Sequence, residues 1–339
     1  MQVTRRRFVM DSLAASAALA AGARMAPAAE PQGKRDEATS APTLPIIDTH
    51  QHLWDVQRIK PPWLDGSPDI LRRSYVTSDY LEATRGLNVV KAVYMEIDAA
   101  PQQQVEEAEY LIEICRSGKH PTVAAVISGR PALPGFREYI LRYRDNKYIK
   151  GVRQVLHGAT TPAGYCLQDP FVASIRLLGE IGMSYDICLR PGELADGVKL
   201  VDKCPGTRFI VDHCGNADVN VFLPASQRSA EPPSHDPEQW RRDMSELAKR
   251  SHVICKISGI VARAPQGNWK SEILAPVINH CLDVFGPDRV VFGGDWPVCL
   301  RGATYRRWVE ALREVVHNRS EEQQRKLFHD NASKFYGLG

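Results

Sequence analysis

From Leu44 onward the chain is built of eight short apolar runs, most of them rich in β-branched residues, separated by longer stretches of helical periodicity. The runs are LPIID (44–48), VVKAVYMEI (89–97), PTVAAVIS (121–128), IKGVRQV (149–155), MSYDICL (183–189), RFIVDH (208–213), VICKIS (253–258) and RVVFGGD (289–295). Strands this uniformly apolar must be covered on both faces, which is the signature of a parallel sheet. The stretches between them supply the cover: QQQVEEAEYLIEICRSG (102–118) places apolar residues three and four apart and its acids early, as a helix prefers. Eight βα units within residues 44–339 predict an α/β fold, a closed (β/α)8 TIM barrel. The rival, a doubly wound open sheet, is weakened because no G-x-G-x-x-G follows an early strand.

The N-terminus reads differently. TRRRFVM (4–10), a short alanine-rich apolar run and APAAE (26–30) resemble a twin-arginine export signal. The expectation is a signal over 1–28, a polar tether over 29–43 and a single barrel over 44–339, with the mature protein periplasmic or extracellular. Residues 1–28 hold four arginines and one aspartate, so the remainder carries no net formal charge. Without a Lys/Arg run there is no electrostatic footprint for nucleic acid, or for a membrane beyond the export step; small neutral or weakly anionic molecules are the expected partners. The sequence is compatible with a homo-oligomer. Eight scattered cysteines without a C-x-x-C pair support neither a zinc ribbon nor a redox motif, and buried thiols are expected.

In a barrel, chemistry gathers where strands end. Strand one ends in His50 and His52, strand two in Glu96, strand four carries Arg153, strand six ends in Asp212 and His213, and strand eight in Asp295 followed by Trp296. Period-two alternation predicts that His50 and His52 face the same way, and two neutral imidazoles suit a divalent ion, zinc first. H-x-H alone is a common chance pair; His213 and Asp295, each ending another strand, make one shared site the better reading. Asp295 can ligate a metal and take a proton from water. Arg153 is suited to gripping a substrate carbonyl or carboxylate, or to pairing with a neighbouring acid. Glu96 is open between metal ligand, substrate contact and partner of Arg153. Trp54, Trp63 and Trp296 are candidates for an aromatic wall against the substrate. The remaining histidines read as solvated or capping residues.

With DTHQHLWD, KGVRQ, DHCG, CKISG, GGDWPV and NASKFYGL in this order, the chain resembles the amidohydrolase-related family, in particular its sugar-lactonase-like branch, over residues 46–338. The resemblance implies a distorted barrel of the metallo-dependent hydrolase type. It also implies hydrolysis of a carboxylic ester in a ring, as in fuconolactonases, rhamnonolactonases and pyrone-dicarboxylate lactonases. His50, His52, His213 and Asp295 match the family's polar cluster, Arg153 a substrate-contacting arginine, and Glu96 a position that is often Glu or Gln. The wider superfamily's bridging lysine on strand four and histidine on strand five are absent, which argues against two metals. The expected enzyme is therefore a lactonase in which Asp295 is the base. His50, His52 and His213, with Asp295 and Glu96, hold one divalent ion; without metal, the histidines themselves donate to the carbonyl. A metal-dependent decarboxylase and a non-catalytic binding barrel are the alternatives.

Overall fold

The computed structural model describes residues 44–224, 226, 232–265, 267 and 269–339; the expected export signal and tether lie outside them. Eight parallel strands follow one another in chain order: β1 (Ile46–Gln51), β2 (Val89–Met95), β3 (Thr122–Ser128), β4 (Ile149–Arg153), β5 (Ser184–Ile187), β6 (Arg208–Val211), β7 (Val253–Ile257) and β8 (Val290–Phe292). A helix follows each: α1 (Thr77–Thr84), α2 (Gln104–Ser117), α3 (Phe136–Leu141), α4 (Asp169–Glu180), α5 (Leu194–Lys203), α6 (Pro237–Ala248), α7 (Ala275–Phe285) and α8 (Tyr305–Val316). Among the described residues no helix is long and apolar enough to cross a membrane.

Alternation along the strands sorts their side chains into two cores. Ile47, Val93, Met95, Val126, Ile210, Ile254 and Val291 fill the barrel's interior, and Ala332, Tyr336 and Leu338 of the closing NASKFYGL segment join them. The intervening residues, such as Tyr94, Ile127, Val152 and Phe209, pack outward in the larger cluster shared with the helices. All eight cysteines are buried free thiols.

The seam between β8 and β1 closes without a regular ladder. Thr49 Oγ1 donates to the Phe292 carbonyl (2.6 Å), Asp295 N to the His50 carbonyl (2.7 Å) and His52 N to the Trp296 carbonyl (2.8 Å). The buried Asp48 carboxylate ties the seam together, accepting from Gly294 N (2.7 Å), His50 N (2.9 Å), Tyr80 Oη (2.8 Å) and Tyr305 Oη (3.0 Å). Gly294 leaves room for this, since a Cβ there would lie 2.3 Å from the Tyr305 ring.

Candidate active site

β1 does not run with an even period. Ile47 faces the barrel interior, whereas Asp48 turns outward to Tyr80 and Tyr305. Strict alternation would send His50 outward with Asp48. Instead the register against β2 shifts between Asp48 and Gln51, an irregularity of the kind that re-aims side chains beside active sites, and His50 and His52 both turn to the interior. Their rings meet edge to face at 4.8 Å, and His50 lies 4.4 Å from the His213 ring. Gly293 allows the approach, because a Cβ there would come within 2.7 Å of His50 Cβ.

His213 and Asp295 leave their strands through left-handed backbone, at φ 54° and 53°, a conformation that costs a non-glycine residue about 1 kcal/mol or more. Strain of this kind is tolerated where it aims a functional side chain. Gly259 makes space for the His213 imidazole: a Cβ at that position would stand 2.2 Å from Nδ1. The result is a cluster in which His50, His213 and Asp295 each bring a donor atom within 4.8 Å of the others. His52 Nε2 lies 3.3 Å and His50 Nε2 3.7 Å from Asp295 Oδ1.

Hydrogen bonds to their second nitrogens orient the His52 and His213 rings. His52 Nδ1 lies 2.9 Å from the Met95 carbonyl, which can only accept, so Nδ1 carries the proton and the Nε2 of a neutral ring faces Asp295 with a lone pair. A bare nitrogen against a carboxylate calls for a proton or a cation between them. His213 Nδ1 pairs with Ser258 Oγ at 2.9 Å. Burial, reinforced by the charges of His213 and Lys256, pushes His50 well below the ordinary histidine range; burial also lowers His213, against the pull of Asp295. Neutral imidazoles beside one carboxylate, with the second nitrogens of His52 and His213 anchored outside the cluster, are the donor chemistry a divalent ion takes, and the residues fit one.

Arg153 modifies that fit and corrects an expectation. Its Nε donates to Glu96 Oε1 (2.7 Å) and Nη2 to the Glu96 carbonyl (2.7 Å), while Nη1 reaches His50 Nε2 (3.2 Å) and Asp212 Oδ2 (3.3 Å). Four of its five N–H groups are thus engaged, and no two-pronged grip remains for a substrate. Glu96 is fully buried and also accepts from Ser128 Oγ (2.7 Å); it is the partner of Arg153 and reaches neither the cavity nor the histidine cluster. Burial alone would raise its pKa, but Arg153 and Ser128 hold it below the ordinary value.

The cluster opens on a cavity of about 340 Å³ lined by His52, His213, Arg153 and Asp295 among others. Trp63 is on its wall, with Nε1 donating to the Ile97 carbonyl (2.7 Å). The expectation that Trp54 and Trp296 face a substrate is corrected: both are 1% exposed, pack edge to face against Tyr75 and are absent from the cavity lining. His157, exposed as expected, also stands on the wall of the cavity. Lys256 escaped sequence reasoning altogether. Fully buried on β7, it donates to Asp186 Oδ2 (2.8 Å) and lies 2.8 Å from Asp212 Oδ1, under the histidines. The signal was present as a lysine within VICKIS, but nothing in one strand reveals a counter-ion on another.

The chain is similar to an L-fucono-1,5-lactonase of Burkholderia multivorans, at 26% identity over 302 residues, with 86% of this chain and 96% of the relative covered. It is similar to an L-rhamnono-gamma-lactonase of Scheffersomyces stipitis, at 23% identity, with 86% and 98% covered. A crystal structure of an amidohydrolase from Burkholderia multivorans with bound zinc superimposes with a TM-score of 0.75 at 22% identity, covering 87% of this chain and all of that one. The amidohydrolase family profile matches residues 47–338. With that match spanning the whole barrel, from the first strand to the segment that plugs its interior, the chain belongs to the amidohydrolase family.

Proposed function

We propose that the protein hydrolyses the ester bond of a lactone, opening the ring. The observation that carries this reading is the convergence of His50, His52, His213 and Asp295, from three separate strand ends, on one cluster whose His52, His213 and Asp295 line a single cavity. The lactonases it is similar to support the same chemistry.

Ring opening needs water, a group to take its proton, and positive charge where the carbonyl oxygen becomes an oxyanion. Asp295 is the base: its carboxylate is 3% exposed, faces the cavity, and is aimed by backbone hydrogen bonds on both sides, from its own N to the His50 carbonyl (2.7 Å) and from Cys299 N (2.7 Å). His52 and His213 flank the water position. His50, His213 and Asp295, with His52 beside them, are the residues that would hold one divalent ion, zinc first, which when bound lowers the pKa of water and polarises a carbonyl. Arg153 fixes His50 and adds fixed positive charge behind it. The apolar wall, including Trp63 and Ile97, holds the ring and keeps bulk water away. We also propose that residues 1–28 direct export, so that the barrel meets its substrate outside the cytoplasm.

A pH-indicator screen of γ- and δ-lactones, run on protein with measured metal content, tests the reading. Proton release that depends on Asp295 supports it. Carbon dioxide release without lactone consumption would replace it with decarboxylation, and saturable binding without product would replace it with a binding protein.

A further inference from the structure

The turn after β6 serves two sides of the barrel wall. His213, Cys214, Gly215 and Asn216 all adopt left-handed backbone, at φ 54°, 52°, 67° and 56°, a conformation that only glycine takes freely. Hydrogen bonds hold the turn in place: Gly215 N donates to the Asp212 carbonyl (2.8 Å), Asn216 Nδ2 to the Leu189 carbonyl (2.8 Å) and Trp240 Nε1, on α6, to the Cys214 carbonyl (2.9 Å). His213 lines the cavity, whereas Cys214, the next residue, is fully buried and absent from the lining. Its sulfur meets two others. Cys255 comes from β7 and Cys281 from α7, both in the core shared by the barrel and its helices, and the three sulfurs lie within 4.8 Å of one another. All three residues are 0% exposed.

A lone buried cysteine is a small hydrophobe and needs no further account. Three sulfurs gathered from a loop, a strand and a helix are a different arrangement. At position 214 packing gives no reason for a thiol in left-handed backbone, where glycine, as at 215, would carry no strain. A three-coordinate ion with metal–sulfur bonds of about 2.3 Å holds its sulfurs about 4.0 Å apart, a spacing this group accommodates. The donors also select the ion. Calcium and magnesium take oxygen ligands, and structural zinc closes a set of four. Among the described residues no histidine or carboxylate joins the three sulfurs. An all-sulfur set of three suits a soft ion, monovalent copper first.

We propose that Cys214, Cys255 and Cys281 form a second metal site, separate from the histidine cluster, that binds one Cu(I) ion through three sulfurs. The inference stands apart from the hydrolase reading and does not depend on it. Each thiol that ligates as thiolate gives its proton to solvent, and no electron moves, because copper enters and stays as Cu(I). The bound ion ties the turn after β6 to β7 and α7. Since Cys214 follows His213 directly, the same ion stiffens the backbone that aims His213 at the cavity.

The test loads the full chain with Cu(I) under anaerobic, reducing conditions, both during synthesis in copper-supplemented cells and after purification, and challenges it with a Cu(I) chelator. The wild-type protein and Cys115→Ala, which removes a buried thiol outside the group, should each keep one copper per chain. Cys255→Ala and Cys281→Ala should bind it about a hundredfold or more weakly, since even a residue that only orients a ligand costs up to about a hundredfold in metal affinity. Copper X-ray absorption of the wild type should show three sulfurs at about 2.3 Å and no nitrogen. Loading should raise the unfolding midpoint of the wild type and Cys115→Ala alone, because the ion binds only the assembled site. No retained copper by either route, nitrogen neighbours in the absorption spectrum, or unchanged affinity in both Cys255→Ala and Cys281→Ala would overturn the proposal. If neither of those variants folds, the wild-type spectrum decides: sulfur alone supports the site, and nitrogen places the ion on the histidines instead.

Discussion

Two polar layers cross this barrel, one above the other, and both are built of buried titratable side chains. The upper layer, His52, His213 and Asp295, faces the cavity. The lower layer, Glu96, Arg153, Asp186, Asp212 and Lys256, is closed on itself by ion pairs of 2.7–3.3 Å and touches the cavity only through Arg153. In the upper layer donors are left facing one another without a hydrogen-bonded partner, which is what a reacting group or an ion needs. In the lower layer Arg153 and Lys256 neutralise carboxylates that would otherwise be buried charges. A charged residue inside a barrel therefore identifies a site only when its polar atoms are not already satisfied by the protein.

The largest effect should come from breaking the lower layer. Lys256→Met removes the cation between Asp186 and Asp212 and leaves two buried acids without it. Removing one member of a buried pair typically costs about 3–5 kcal/mol. Denaturant unfolding should show a loss of that size; a variant as stable as the wild type would mean that the lower layer does not hold the barrel together. The upper layer should behave in the opposite way. Asp295→Asn should lower kcat about 10² or more while leaving the unfolding midpoint nearly unchanged, because Asp295 has no buried cationic partner to abandon. Retained turnover with an intact fold would remove Asp295 from the role of base.

Gly259→Ala tests where the two layers join. Its Cβ would sit 2.2 Å from His213 Nδ1, at a φ of +70° that disfavours any side chain. Displacing the imidazole should cost about tenfold in kcat, and the backbone about 1–2 kcal/mol in stability. Loss of stability with full activity would show that the His213 ring is not held by this contact.

Much of the fold was legible in the sequence because buried parallel strands advertise themselves: seven of the eight apolar runs contain the observed strands, and β1 begins in its run and extends three residues past it, to Gln51. β8 is shorter than its run because Gly293–Asp295 leave the ladder to close the seam and expose the carboxylate. The residues of the upper layer were legible too, since each stands at a strand end. What was not legible depends on departures from regularity or on distance along the chain. Alternation does predict that His50 and His52 share a face, but it cannot say which one; the shift after Asp48 decides that. The Glu96–Arg153 pair, 57 positions apart, was one of several readings the sequence left open, and the Asp186–Lys256 pair, 70 apart, left no sign in a single sequence. Trp54 and Trp63 read alike as aromatic wall, yet Trp54 is core, held by the Tyr75 ring and the Arg73 carbonyl, while Trp63 lines the cavity.

The smallest effect is the most discriminating. The lower layer holds three acids, Glu96, Asp186 and Asp212, against two cations, so one acid should carry a proton. Burial, with repulsion from Asp212, raises Asp186 to about 7 despite Lys256, whereas Lys256, His213 and Arg153 overcome burial and hold Asp212 down to about 2. Asp186 is therefore the acid that keeps its proton. A folded pKa above the unfolded carboxylate value of about 3.9 means that its contribution to stability is fully present below pH 4 and is lost as pH rises through about 7. Asn mimics the protonated acid and still offers Lys256 an acceptor, so Asp186→Asn should change stability by less than about 1 kcal/mol at pH 5. Relative to that variant, the wild type should lose stability between pH 4 and 7. Parallel pH profiles for the two proteins would mean that Asp186 is ionised throughout and that the lower layer carries a net negative charge. Since that charge would lie directly beneath the histidines, the same measurement reports the electrostatic floor on which the upper layer works.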